Sequence, residues 1–233
     1  MFFKQGFNPF CYQTMFRTLL KNIKRPRQAA TSRLFTRSMF IQTETTPNPQ
    51  SLKFLPGRDV LPTEHGTGVN FSSAMDAVRS PLAKQLFQVL GVSTVFFGRD
   101  FVSVNIGDET NASWDTVKPQ VFAIIMDHFA SNTPVILGEA TAIDTEITDD
   151  DDEVVALIKE LLETRIRPAV QGDGGDIVYR GFDEVSGMVE LELAGSCVGC
   201  PSSSATLQHG VQNMLMHYIP EVRGVNQIIP EEQ

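Results

Sequence analysis

The run Gly195-Ser196-Cys197-Val198-Gly199-Cys200-Pro201 decides how this chain is read. Before it, Val189 to Leu193 alternates apolar and acidic residues as a half-buried strand does. After it, a helical pattern begins, and Pro201 suits the first helical position, where a missing N–H costs nothing. Cys200 then falls at or beside the helix start, and Cys197 in the turn just before it. A thiolate there lies near the positive end of the helix dipole, which favours the charged, metal-binding form. Two thiolates three residues apart on a tight turn can both reach one metal centre.

The sequence around that turn is expected to support it. Upstream, Ile177 to Phe182 and Met188 to Leu193 form a hairpin joined by Asp183 to Gly187, with Glu190 and Glu192 on a wet face. The preceding Gln171-Gly172-Asp173-Gly174-Gly175-Asp176 lacks the lysine of a phosphate loop and the spacing of a dinucleotide fingerprint. It reads as a turn that needs positive φ, packed beside the cysteine turn. A helix from about Asp151 to Arg167 carries the stripe Val154, Val155, Ile158, Leu161, Leu162 and Ile166, and Pro168 ends it. Downstream, a helix from about Pro201 to Tyr218 turns Ala205, Leu207, Val211, Met214, Leu215 and Tyr218 inward, and Val225 to Ile229 is a third strand. Residues 151–229 thus read α-β-β-α-β: one three-stranded sheet covered by two helices.

A second α+β domain is expected over residues 40–137. Thr46-Pro47-Asn48-Pro49 is a turn cluster and Ser51 to Leu55 a strand, while residues 62–72 look like loop. Ser80-Pro81 opens a helix running to about Leu90, with Leu82, Leu86, Val89 and Leu90 on one face. Val92 to Phe97 and Phe101 to Ile106 form a hairpin. Ser113 caps a helix from Trp114 to about Ser131, in which Pro119 is tolerated near the first turn. His65 and His128 read as a loop residue and a packed ring, and Trp114 as core. Residues 138–150 are an acidic linker without apolar period. Their contiguous aspartates lack the alternating ligand spacing of a calcium loop.

Charge divides the chain. Its 233 residues carry a net charge of −9, but residues 1–38 hold eight basic residues and no acidic one. That leaves about −17 on the remainder. Arg-rich, hydroxyl-bearing and free of acid, with Met15, Phe16, Leu19, Leu20 and Ile23 at helical spacing, residues 1–38 have the character of a mitochondrial presequence. Its cut is expected around Arg37 to Phe40 and would remove Cys11. The acidic remainder would repel phosphates, which argues against nucleic acid. No window approaches the roughly 18 apolar residues of a membrane span.

A bare C-x-x-C has four readings. A zinc site wants four ligands, and His209 lies about two helical turns along, ~12–14 Å away at the helical rise, too far to close a tetrahedron in one chain. A thioredoxin-like redox pair fits the turn-to-helix setting but not the α-β-β-α-β order. A structural disulfide suits a reducing compartment poorly. An iron–sulfur site normally takes four cysteines, so the second pair would come from another copy, from small thiols or from a client protein.

These residues carry a resemblance. Asp173-Gly174-Gly175-Asp176 followed by Gly195-Ser196-Cys197-Val198-Gly199-Cys200-Pro201-Ser202-Ser203 resembles the C-terminal domain of the NifU/Nfu iron–sulfur scaffold family. Thr46-Pro47-Asn48-Pro49-Gln50-Ser51-Leu52-Lys53-Phe54 resembles the amino-terminal domain of the mitochondrial Nfu proteins. Together the two cover roughly residues 40–229. The resemblance implies a 4Fe-4S cluster held by Cys197 and Cys200 of two or more subunits in a homo-oligomer. It also implies transfer of that cluster, in the mitochondrial matrix, to apoproteins such as lipoyl synthase, aconitase and respiratory-complex subunits, alongside the iron–sulfur assembly proteins. It implies a scaffold rather than an enzyme. The rival readings are a thiol–disulfide oxidoreductase using the same cysteines, and a zinc-stabilised module bridging two chains.

Overall fold

The protein is described by a computed structural model, which covers residues 40–107, 112–138, 144–199 and 203–228, without side chains for residues 203–208. The expected presequence, Cys11, Cys200, and the inward positions Ala205 and Leu207 lie outside that description.

Two sheets organise the described chain. The first has five strands in the order β1 (Gln42–Thr45), β2 (Ser51–Leu55), β5 (Val102–Ile106), β4 (Val92–Gly98) and β3 (Gly68–Phe71). Every neighbouring pair for which the register is given runs antiparallel. The second has three strands, β6 (Gly175–Asp183), β7 (Met188–Gly195) and β8 (Gly224–Ile228), with β7 and β8 parallel. Both belong to a compact unit that begins at Met39. The architecture is α+β, with the α-β-β-α-β order around the second sheet.

Side-chain alternation decides what covers each face of the first sheet. Leu52, Phe54, Val95, Phe97, Val102 and Val104 face a core shared with α1 (Pro81–Leu86) and α2 (Trp114–Ala130), through Leu82, Leu86, Val117, Val121 and Ile125. Ser80 caps α1: its Oγ accepts from the Ala83 N–H and donates to the Val135 carbonyl. Helix α1 ends sooner than expected, so Leu90 is 81% exposed rather than on the packed face. Trp114 is half-buried, its indole N–H donating to the Pro49 carbonyl at 3.1 Å. The stretch expected to be loop contains β3 and a short 3-10 turn, Thr63–His65.

The second sheet packs Ile177, Val189, Leu191 and Val225 against Ile158, Leu162, Ile166, Val170, Val211 and Leu215. Pro168 does not stop its helix. Helix α3 (Glu153–Leu161) widens into a π turn over Leu162–Ile166 and continues as α4 (Arg167–Gly172). Proline removes a backbone donor and crowds the preceding turn, and the π turn just before it absorbs that irregularity, with the Arg167 N–H reaching Leu162 O. In α5 (Ser203–Tyr218), Val211 and Leu215 point inward, but Met214 and Tyr218 are exposed. Ile219 and Val222, just past the helix, fill the space instead.

The acidic stretch is not wholly solvated. Asp144 accepts two hydrogen bonds from Arg167 Nη2 (2.8 and 2.7 Å) and one from the Tyr179 N–H (2.7 Å). Asp151 pairs with Lys159 at 2.7 Å. Glu192, expected on the wet face, is buried against Arg180.

Candidate functional site

Strand β7 ends at Gly195 with φ +62°, and the chain turns back on itself through Ser196, Cys197, Val198 and Gly199 (φ +70°). A Cβ on Gly195 would lie 2.8 Å from Gly174 O and 3.1 Å from Gly175 Cα, so both the left-handed backbone and the close approach require glycine. Two short-range bonds shape the turn, Cys197 N–H to Ala194 O (3.4 Å) and Val198 N–H to Gly195 O (3.2 Å).

The Asp173-Gly174-Gly175 corner packs directly against this turn. Ser196 donates through its N–H to Gly174 O (3.2 Å) and through Oγ to Asp173 O (2.7 Å). Gly174 has φ +81°. A Cβ on Gly175 would sit 2.3 Å from Cys197 Sγ. Gly175 is therefore the floor of a seat for the thiol, which a side chain would fill. Cys197 is only 6% exposed, while its neighbour Val198 is 37% exposed. The structure places Cys197 where the sequence put it, in the turn between β7 and the last helix.

A buried ion cluster braces the corner from behind. Arg167, 3% exposed, donates from Nε to Asp176 (3.1 Å), from Nη1 to Thr145 Oγ1 (2.9 Å) and Glu163, and from Nη2 to Asp144 and Ile177 O (2.9 Å). Burial alone would lower the Arg167 guanidinium, but Asp176, Asp144 and Glu163 outweigh it and leave it raised. Asp176 is pushed up to about 6, because burial outweighs the pull of Arg167 and of the Ile177 N–H. It links the ion cluster to Gly175 and so to the floor of the thiol seat.

The sequence reading missed the other wall. The second face of the five-stranded sheet carries Ser51 and Lys53 on β2, Ser103 and Asn105 on β5, and Thr94 and Phe96 on β4. It turns toward the cysteine turn rather than toward water. Asn105 Nδ2 donates to Gly195 O (2.9 Å) and Ser103 Oγ to Gly174 O (2.6 Å). Asn48, from the turn before β2 and 2% exposed, donates to both Ser196 O (3.1 Å) and Val198 O (3.2 Å), the carbonyls flanking Cys197. Its Oδ1 meanwhile accepts the Gln50 N–H at 3.0 Å. Lys53 Nζ caps the end of α4 at Gln171 O (3.2 Å) and Gly172 O (3.1 Å), where a cation complements the helix dipole. Phe96, Phe101 and Ala194 seal the junction. A polar strand face normally reads as solvent-facing; the one hint was Asn48, set between two prolines in a distinctive motif.

His65 and His128 do not join the site. His128 is buried beside Phe129, 5.6 Å between ring centroids, and burial lowers its pKa. Among the described residues no three His, Cys, Asp or Glu side chains gather as a metal site, and no helix is long and apolar enough to cross a membrane.

Comparison with known proteins gives consistent results. Residues 41–132 match the family described as scaffold protein Nfu/NifU N terminal, and residues 158–226 match the NifU-like domain. The chain is 55% identical over 193 residues to "NifU-like protein 4, mitochondrial" of Arabidopsis thaliana, covering 82% of this chain and 66% of that protein. It is 56% identical over 195 residues to "NFU1 iron-sulfur cluster scaffold homolog, mitochondrial" of Drosophila sechellia, covering 84% and 67%. The chain thus spans about two thirds of the length of these relatives. The solution structure of a NifU-like protein from Saccharomyces cerevisiae aligns with a TM-score of 0.40 at 28% identity, over 45% of this chain and 90% of that one.

Proposed function

The chain belongs to the Nfu/NifU scaffold family, and from that premise we propose that it is a mitochondrial carrier of iron–sulfur clusters that receives a 4Fe-4S cluster as cargo and passes it on. Cys197 and Cys200 are its ligands. One chain offers two thiolates where a cluster normally takes four, so the cluster is held between the cysteine turns of two or more copies. Recipients are apoproteins of the matrix, among them lipoyl synthase, aconitase and respiratory-complex subunits. The role is that of a scaffold, not a catalyst.

The observation that carries this reading is the seat of Cys197. Its turn is built from a left-handed glycine and a second glycine whose hydrogen leaves room for the sulfur. The donor is a soft thiol, which suits iron–sulfur clusters. Holding a cluster on a turn between copies, rather than in a closed four-ligand cage, makes release to a client possible.

The test is anaerobic reconstitution of residues 40–233 with iron and sulfide. It is read by visible absorption, by iron and sulfide content, and by mass in solution. The expected result is about four irons per two chains on a multimer, lost in Cys197→Ser and in Cys200→Ser while far-UV circular dichroism is unchanged. Full loading of either variant would overturn the ligand assignment. A colourless monomer that cycles its cysteines between dithiol and disulfide would make it an oxidoreductase instead.

A further inference from the structure

The cysteine turn is held from outside its own sheet. Four backbone carbonyls around the thiol, Gly174, Gly195, Ser196 and Val198, each accept a hydrogen bond from a side chain of the amino-terminal half. The donors come from one strand, β5, and a turn that are 71 to 150 residues away in sequence. All three donor side chains, Asn48, Ser103 and Asn105, are buried. The bonds from Asn48 bracket Cys197, fixing the peptide plane just before it and the one that follows Val198. With the turn held there, the Cys197 side chain moves about its single heavy-atom torsion, and Gly175 gives it room inward.

We propose that Asn48, Ser103 and Asn105 are positioning residues of the cysteine site: the amino-terminal half latches the turn with the Cys197 thiol seated inward and sets how readily it is presented. The consequence for cargo rests on the function proposed above; the latch itself does not. A cluster shared between copies needs the sulfur outside its seat, so loading and release pass through a loosened latch. The amino-terminal half is then a control on the site and not only a surface for partners.

The experiment is alkylation of the reduced, iron-free chain 40–233 by iodoacetamide, with Cys197 and Cys200 resolved by peptide mass spectrometry. Asn48→Asp is the informative variant. It keeps the oxygen that accepts the Gln50 N–H, so its own turn persists, but it loses both donations and points a carboxylate at two carbonyls. Cys197 should then react at least about fivefold faster than in the parent, since a net hydrogen bond is worth that order of rate. Ser103→Ala, which deletes one oxygen, should raise the rate less and serves if Asn48→Asp does not fold. Ser80→Ala weakens the same half at a helix cap on the other face of the sheet and should leave the Cys197 rate alone. Parent rates in both latch variants would overturn the proposal. So would a Cys197 rate raised as much by Ser80→Ala as by Asn48→Asp, since the effect would then be general loosening. Because no iron is present, a loosened turn in a chain that never loads a cluster would sink the carrier reading alone.

Discussion

Gly175→Ala tests the seat of Cys197 by a single methyl. Gly175 does not lie in the left-handed region, unlike its neighbour Gly174 at φ +81°, so alanine meets no backbone penalty there. The effect is then steric. The new Cβ would stand 2.3 Å from Cys197 Sγ and 3.1 Å from Ala194 O and from the Cys197 nitrogen. Comfortable heavy-atom contact begins at about 3.5 Å, so the sulfur must retreat by roughly 1 Å or more. Either the turn shifts, at the ~1–3 kcal/mol typical of overpacking, or the thiol swings out of its seat and gives up its burial. At about 2–4 °C per kcal/mol for a chain of this size, scanning calorimetry should show a fall of roughly 2–12 °C. Alkylation of Cys197 should rise in parallel. A melting temperature within about 1 °C of the parent, together with an unchanged Cys197 rate, would refute the claim that Gly175 is kept small for the sulfur.

Other expectations follow from the buried charges and the caps. Asp176, at about 6 when folded against 3.8 for an ordinary aspartate, holds a proton between pH ~4 and ~6 that the unfolded chain has released. Its contribution is therefore complete below pH ~4 and lost as pH rises through ~6, on the order of 3 kcal/mol for a two-unit shift. Urea unfolding across that range should show the slope, and Asp176→Asn should flatten it. Arg167→Leu strands Asp176 and Asp144 without their cation; leaving buried charge uncompensated costs about 3–5 kcal/mol, enough to lower the urea midpoint sharply at pH 7. Ser80→Ala removes the cap of α1 and the bond to Val135 O, and should cost about 1 kcal/mol by the same measurement.

What the sequence made legible was local. Helix α2 runs from Trp114, one residue after the Ser113 cap, because cap and apolar period agree there. The β4–β5 hairpin is legible because β-branched runs flank a short loop. Where the sequence misled, tertiary context had overridden a local signal. Pro168 marks a helix end only if the preceding turn stays α-helical, and the π turn at Leu162–Ile166 lets it continue. Strand β3 is four residues around Gly68 and exists because β4 offers it a partner. Asp144 was assigned to solvent by its acidic company, but its partner Arg167 is 23 residues away and invisible to any local window.

The site divides along the same line. Cys197 and the left-handed glycine before it are encoded side by side, and the Asp173–Gly175 corner, 23 residues before Ser196, lies across the single legible hairpin β6–β7, so their meeting could be read from the sequence. Asn48, Ser103 and Asn105 cannot be read that way, because Val102, Val104 and Ile106 alternating with Ser103 and Asn105 is also the pattern of an ordinary strand with one wet face. What distinguishes them is the occupant of that face. Three side chains that would be unremarkable in water become, once buried, donors that need acceptors. The Ser196 and Val198 carbonyls supply acceptors, and Gly195 O and Gly174 O each take a second bond beside the backbone N–H they already accept. Each half of the chain thus leaves unpaired polar groups that the other completes, and Cys197 sits where the two sets meet.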